Sequence, residues 1–219
     1  MTQFLKSKWK SGCMIALFYL INFGLWELIA PIISDEWASF AVYVVLFAVT
    51  IVLFKKELPC EWMEWKSGPL RSKSFYASLA LWLVLNLVVG AVLLTAAAQL
   101  DLDILPQNNE NVKSQLVAIP AFLTAIQTCI FAPVIEEMTF RYSMIGVPGT
   151  RRQLVLLCVV SVILFDWIHI FRFTEFFYYL VPALILTAFY AKYKNVWASI
   201  ILHSSINILG VIALLFNIL

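Results

Sequence analysis

The amino-acid sequence predicts an all-α polytopic membrane protein, a helical bundle of about seven transmembrane helices. The 219-residue chain is 63% hydrophobic and 13% charged, with a mean hydropathy of +0.91. Soluble domains contain about 45–50% apolar and about 25% charged residues. The apolar runs are continuous and approach the ~20 residues that cross a bilayer, whereas the strands of a porin-like barrel alternate in polarity. These observations exclude a soluble enzyme and a membrane β-barrel.

The N-terminal half is predicted to hold three spans, at residues 13–33, 37–54 and 75–100. Basic residues precede the first apolar run as in a signal peptide, but the run is long and has no small-residue cleavage site, so we predict an uncleaved first span, interrupted by Glu27. Residues 55–74 are mixed and charged, which favours a surface segment. Residues 101–113 are polar and rich in asparagine, which predicts a loop.

The C-terminal half is predicted to hold four spans. The fourth begins near Ser114 and contains Pro120, Pro133 and two adjacent glutamates, and a turn follows at residues 147–150. The last three spans are predicted at residues 153–171, 176–190 and 196–219.

Lysine and arginine residues predict the orientation of the bundle. With the N-terminus in the cytoplasm, twelve of them fall in inner segments and two, Lys113 and Arg172, in outer ones. Because cytoplasmic loops carry the excess of basic residues, we predict an integral multi-pass protein with a cytoplasmic N-terminus and an outer C-terminus. The net charge of +2 indicates no particular partner, and we expect no nucleic acid. The four cysteines have no CxxC spacing and favour core packing over a disulfide framework or a zinc knuckle.

Two glutamates and an arginine lie inside an otherwise hydrophobic run, at Glu136, Glu137 and Arg141. Each charge at membrane depth costs at least ~2.5–3.5 kcal/mol on insertion scales, so three in six positions need an explanation. Glu137 and Arg141 are four residues apart and can pair on a helix. Glu136 is turned by about 100° from Glu137 and stays available for chemistry. A purely structural ion pair, or a loop just outside the membrane, is the alternative.

The only two histidines of the chain also lie in apolar helices. Glu136 and His169 are at similar distances from the turn that joins their helices, roughly 20–27 Å along antiparallel neighbours at ~1.5 Å per residue. His203 and Asn207 are four residues apart on one helix face, at a depth that helix tilt can match. We therefore predict one polar cluster inside the bundle.

A glutamate, two neutral imidazoles and a carboxamide suit hydrolysis of an amide bond. Glu136 or Glu137 with His169 could hold and deprotonate a water molecule, and Asn207 with His203 could donate hydrogen bonds to the developing oxyanion. No cofactor is predicted. The chemical alternative is a zinc site of two histidines and one carboxylate, formed by Glu136, His169 and His203.

Three stretches together resemble a known family: Glu136-Glu137-x-x-x-Arg141, Phe165-x-x-x-His169 and His203-x-x-x-Asn207. They are similar, in order, to the three motifs of the CPBP family, the CAAX proteases and bacteriocin-processing or self-immunity proteins also called the Abi family. The resemblance covers roughly residues 115–212. It implies a domain division into residues 1–113, without a recognised motif, and residues 114–219, the catalytic helical core.

What the resemblance implies is an intramembrane endopeptidase similar to the type II CAAX prenyl endopeptidase. Glu136 and His169 would activate water, His203 and Asn207 would bind the oxyanion, and Glu137 and Arg141 would support the site. Older descriptions of the family as metalloproteases keep the zinc alternative open. Asp166, three residues before His169, is a candidate for orienting that histidine.

The predicted partners are the lipid bilayer and a membrane-associated peptide or protein: a CAAX-type tail, a leader peptide or a membrane regulator. One alternative function is that of a non-catalytic bacteriocin self-immunity protein. The other is a small transporter or proton-coupled channel, which the absence of an inverted-repeat pattern disfavours.

Overall fold

A computed structural model describes residues 8–146 and 150–218, and this part of the chain consists of nine helices and short connections. The first four helices are α1, which passes through Lys8–Tyr19, the π-helical Leu20–Leu25 and Trp26–Ile29; α2, Asp35–Leu53; α3, Glu57–Ser67; and α4, Lys73–Gln99. The next two are α5, Gln107–Ala118, and α6, which passes through Ala121–Ile126, the π-helical Gln127–Phe131, Ala132–Glu136 and the π-helical Glu137–Ile145. The last three are α7, Arg151–Trp167; α8, Phe176–Tyr193; and α9, Val196–Ile218. Short 3-10 turns lie at Pro69–Arg71 and Phe173–Glu175.

The polytopic helical bundle is confirmed. Six helices of the described chain are long and apolar enough to cross a membrane, namely α1, α2, α4, α6, α8 and α9. The predicted span at residues 153–171 is shorter in the structure, because α7 has 17 residues and ends at Trp167. Beyond this end, the amide of Phe171 donates to the Glu175 carboxylate (2.9 Å) and closes the turn that leads to α8.

The polar segment at residues 101–113 differs from the predicted loop. Helix α5 already begins at Gln107, whose backbone N–H donates to the buried Glu175 carboxylate at 3.3 Å. The single span predicted from Ser114 is also wrong, because Pro120 separates α5 from α6. Ile119 is extended (φ −125°, ψ 162°), since a proline disfavours the helical conformation of the residue before it. The turn predicted at residues 147–150 falls mostly on residues 147–149, which lie outside the described chain.

Helix α6 is the centre of the bundle. Every residue from 132 to 145 is buried, and α1, α2, α7 and α9 all pack against this helix. Helix α4 lies at the periphery: the most apolar part of its span contains no buried residue. The charged segment after α2 forms the short helix α3, which is joined to the start of α9 by the Trp197 indole N–H donating to the Leu58 carbonyl (2.9 Å). The polar residues of α6 are therefore enclosed by protein on several sides.

Candidate active site

The glutamate pair lies where α6 changes from α-helix to π-helix, between Ala132–Glu136 and Glu137–Ile145. Pi-helical turns are rare and are often found at functional sites. Glu136 is 2% exposed, and Glu137 and Arg141 are completely buried. Buried charges require partners, so the contacts of these three side chains define the site.

Glu137 is held by two cationic or protonatable partners. Its Oε1 atom lies 3.3 Å from Arg141 Nη1, as the four-residue spacing predicts, and 2.9 Å from Nδ1 of His203 on α9. Arg141 also donates from Nη2 to the Ala183 carbonyl on α8 (3.3 Å), and its guanidinium carbon lies 4.2 Å from the ring centroid of Phe165 on α7. Glu137 and Arg141 thus connect four helices at the level of the site.

Glu136 faces both imidazoles. Its Oε2 atom lies 3.7 Å from Nε2 of His169 and 3.8 Å from Nε2 of His203. Both separations exceed a direct hydrogen bond and match groups that one small polar molecule can bridge. The structure therefore brings Glu136, His169 and His203 together from three helices or helix ends.

The contacts of the Nδ1 atoms determine which imidazole nitrogen carries hydrogen. His169 Nδ1 lies 2.7 Å from the Phe165 carbonyl oxygen, which can only accept, so this nitrogen is the donor. His203 Nδ1 likewise donates to the Glu137 carboxylate. In each ring the Nδ1 atom is thus engaged, and the other nitrogen, Nε2, faces Glu136.

Asn207 is farther from this triad. Its Nδ2 atom donates to the backbone carbonyl of Thr128 (2.7 Å), in the first π-helical segment of α6. Thr128 precedes Glu136 by eight residues, or roughly 12 Å along a helix. Asn207 thus lies against α6 on the face of α9 that carries His203, with one amide N–H already engaged.

Asp166 does not orient His169, so that hypothesis is wrong. The Phe165 carbonyl holds the His169 ring, and both carboxyl oxygens of Asp166 are buried without a hydrogen bond to the described residues. Only the backbone carbonyl of Asp166 serves His169, by accepting its amide N–H at 2.9 Å.

Two residues near the site were missed by sequence reasoning. The ring of Tyr179 on α8 stacks on the His169 ring, with centroids 5.0 Å apart and planes 29° apart. Tyr43 on α2 and Tyr179 both lie within electrostatic range of the Glu136 carboxylate. A tyrosine in an apolar helix is a weak signal, because the chain contains eight tyrosines and no spacing distinguishes these two.

The described residues contain no group of three or more histidine, cysteine, aspartate or glutamate side chains arranged to hold a metal ion. The zinc alternative of Glu136, His169 and His203 stays a prediction.

The chain is similar in sequence to two proteins of one bacterial strain. The chain is 28% identical over 109 residues to the UPF0177 protein YbdJ of Lactococcus lactis subsp. lactis (strain IL1403), an alignment that covers 50% of this chain and 47% of the relative. It is 27% identical over 175 residues to the UPF0177 protein YbdI of the same strain, covering 77% of this chain and 90% of the relative. No solved structure matches the chain significantly.

Residues 118–209 match the family described as type II CAAX prenyl endopeptidase Rce1-like. The matched segment contains α6 to α8, most of α9 and all seven named residues of the three sequence motifs. Residues 118–209, less than half of the chain, are therefore similar to the Rce1-like type II CAAX prenyl endopeptidase (CPBP) family domain.

Proposed function

We propose that this protein is an intramembrane endopeptidase that hydrolyses a peptide bond of a membrane-associated substrate with a water molecule activated by glutamate. The observation that supports this function is the position of the buried Glu136 carboxylate, 3.7 and 3.8 Å from the Nε2 atoms of two histidines. The match of residues 118–209 to the Rce1-like family supports the same reaction class. The division at residue 114 between an N-terminal part and a catalytic core belongs to this proposal.

Glu136 is the proposed general base. A water molecule bound between Glu136 Oε2 and His169 Nε2 would donate one hydrogen bond to each, which aligns its oxygen for attack on the substrate carbonyl carbon. Glu136 takes one water proton as the new C–O bond forms. When the C–N bond of the tetrahedral intermediate breaks, the protonated Glu136 returns this proton to the leaving amine nitrogen.

His203 is the proposed donor to the oxyanion, in its imidazolium form. Arg141 carries one positive charge and the two glutamates carry two negative charges, so one further proton makes the buried cluster neutral. His203 lies between both carboxylates and is the natural position for that proton. Its Nδ1–H donates to Glu137, which leaves Nε2–H available for the substrate oxygen.

Asn207 is the proposed second donor. Its carboxamide has two N–H groups, of which one donates to the Thr128 carbonyl. The other can serve the substrate oxygen or the backbone of the substrate one helical turn from His203. Preorganised donors of this kind are worth about 10²–10³ in kcat for acyl transfer.

The proposed substrate is a peptide or protein attached to the bilayer, such as a CAAX-type tail, a leader peptide or a membrane regulator. Glu136 and His203 lie on helices α6 and α9, which are long and apolar enough to span a membrane, so we expect a substrate to reach the site from the lipid or from the membrane surface. A prenylated CAAX peptide is the first substrate to test, because residues 118–209 resemble a family of CAAX prenyl endopeptidases.

The experiment uses the full chain purified in detergent and reconstituted into vesicles, with a fluorogenic prenylated CAAX peptide and a panel of leader peptides. We expect Glu136→Gln and His169→Gln to reduce kcat by roughly 10²–10⁴ while the thermal midpoint stays close to that of the wild type. The matched control is Glu27→Gln, which removes an exposed carboxylate of α1 and should leave cleavage unchanged. Crosslinking in cells that express Glu136→Gln would capture uncut substrates.

Three outcomes would contradict this proposal. Cleavage that survives Glu136→Gln within about twofold would remove the general base from the mechanism. Bacteriocin protection that persists in both variants, without any cleavage, would indicate a binding protein instead. Activity that is lost on chelation and restored by zinc would replace the metal-free mechanism.

A further inference from the structure

The aromatic ring of Tyr179 contacts the His169 imidazole from a different helix. Tyr179 lies on α8, is 8% exposed, and stacks on His169 with ring centroids 5.0 Å apart. Phe165 contacts the same imidazole from within α7, at 4.7 Å between centroids and 40° between planes. Two rings from two helices therefore determine the plane of the imidazole.

The histidine needs this external support because it lies beyond the regular helix. Helix α7 ends at Trp167, and the His169 amide makes a short-range bond to the Asp166 carbonyl. The imidazole itself has one hydrogen bond, from Nδ1 to the Phe165 carbonyl. Rotation of the ring about the Cβ–Cγ bond would break that bond and move Nε2 away from Glu136.

The ring of Tyr179, and not its hydroxyl, makes the contact with His169. The hydroxyl lies near the Asn108 side chain at the start of α5 without completing a hydrogen bond of ordinary geometry. Ala183, four residues after Tyr179 on the same helix face, accepts the hydrogen bond of Arg141. This face of α8 thus supports the site at two points, through an aromatic ring and through a backbone carbonyl.

We propose that Tyr179 is a positioning residue that holds the His169 imidazole in the rotamer and tautomer in which Nε2 faces Glu136. Offset-stacked aromatic pairs have a preferred geometry, so the tyrosine ring restricts rotation of its neighbour. The kinetic consequence of this inference rests on the proposed peptidase function. The effect on the ring itself does not.

Two measurements test this role on the full chain in detergent. The first is NMR of protein labelled with [15N]histidine, which gives only two sets of imidazole signals because the chain has two histidines. The variant His203→Gln assigns the set that belongs to His169. The second is the kcat and KM of cleavage of the prenylated peptide.

Tyr179→Leu should convert the single Nδ1–H tautomer of His169 into an averaged or exchange-broadened pair of signals, while the His203 signals stay unchanged. Its kcat should fall roughly tenfold to a hundredfold at nearly constant KM, because a misplacement of about 1 Å can cost that much. Tyr179→Phe keeps the ring and should retain both the tautomer and most of the rate. Phe177 lies on the same helix, and its side chain is 50% exposed. Phe177→Leu is therefore the matched control and should change neither the tautomer of His169 nor the rate.

If Tyr179→Leu does not fold, Tyr179→Met fills the volume with a flexible chain and gives the same readout. A single Nδ1–H tautomer of His169 in the leucine or methionine variant would overturn the inference. A loss of the tautomer in Tyr179→Phe would overturn it as well, since the hydroxyl would then be the active part. An altered tautomer in a protein that cleaves no peptide would support the positioning role and contradict only the proposed function.

Discussion

Removal of the Arg141 guanidinium, by Arg141→Met, tests the charge balance of the buried site. Arg141 is completely buried and contacts Glu137 at 3.3 Å, the Ala183 carbonyl at 3.3 Å and the Phe165 ring at 4.2 Å. Methionine has a similar length and no polar atom that could replace these contacts. The variant therefore leaves the Glu137 carboxylate with His203 as its remaining protonatable partner.

The expected magnitude follows from the distance between the charges. Unit charges 3.3 Å apart attract each other by about 5 kcal/mol at an effective dielectric constant of about 20. Desolvation offsets part of this attraction in the intact pair, but removing one partner of a buried pair leaves an uncompensated charge and costs about 3–5 kcal/mol. For a protein of this size, that loss lowers the thermal midpoint by roughly 6–20 °C.

Thermal unfolding in detergent, followed by circular dichroism, measures this shift for Arg141→Met, Glu137→Gln and the double variant. The double variant should be more stable than the sum of the two single losses predicts, because it removes both charges of the Glu137–Arg141 pair together. Arg152→Met, which removes an exposed guanidinium at the start of α7, should shift the midpoint by less than about 2 °C. Additive losses, or an Arg141→Met midpoint equal to that of Arg152→Met, would refute this account of the buried pair.

Two further predictions concern charged groups. Glu137→Gln removes the carboxylate that accepts the His203 Nδ1–H at 2.9 Å, so the 15N shifts of the His203 ring should change while those of His169 stay the same; unchanged His203 shifts would contradict this contact. Outside the membrane-spanning helices, the side-chain hydrogen bond from Arg172 holds the pKa of Asp103 below its usual range. The stabilising effect of this pair is fully present above the unfolded pKa of about 3.9 and is lost as the pH falls through the lower folded value. Asp103→Asn should therefore lower the thermal midpoint slightly at pH 7 and leave it unchanged at strongly acidic pH, whereas an equal effect at both would contradict the assignment.

The fold was predictable from the sequence where long apolar runs decide the structure. The bundle and the membrane helices follow from composition and run length, because a helix makes all of its backbone hydrogen bonds within one segment, as lipid requires. One error occurred where a long-range contact is involved. The buried carboxylate of Glu175 accepts the backbone N–H of Gln107, the first residue of α5, in a segment that the local pattern predicts as a loop. Such a contact joins residues 68 positions apart and has no signature in either segment.

The candidate site shows the same division between what spacing can and cannot specify. The four-residue spacing was sufficient to pair Glu137 with Arg141, and helix length was sufficient to place Glu136 and His169 at one depth. Neither residue spacing nor helix length could indicate that Glu137 also binds His203 Nδ1, because that contact depends on how α9 is rotated against α6. This contact makes the two histidines chemically different: one ring is tied to a neutral carbonyl and the other to a carboxylate. In the proposed mechanism, His203 is the donor and His169 the acceptor on either side of Glu136, and this difference arises from the different contacts of two identical side chains.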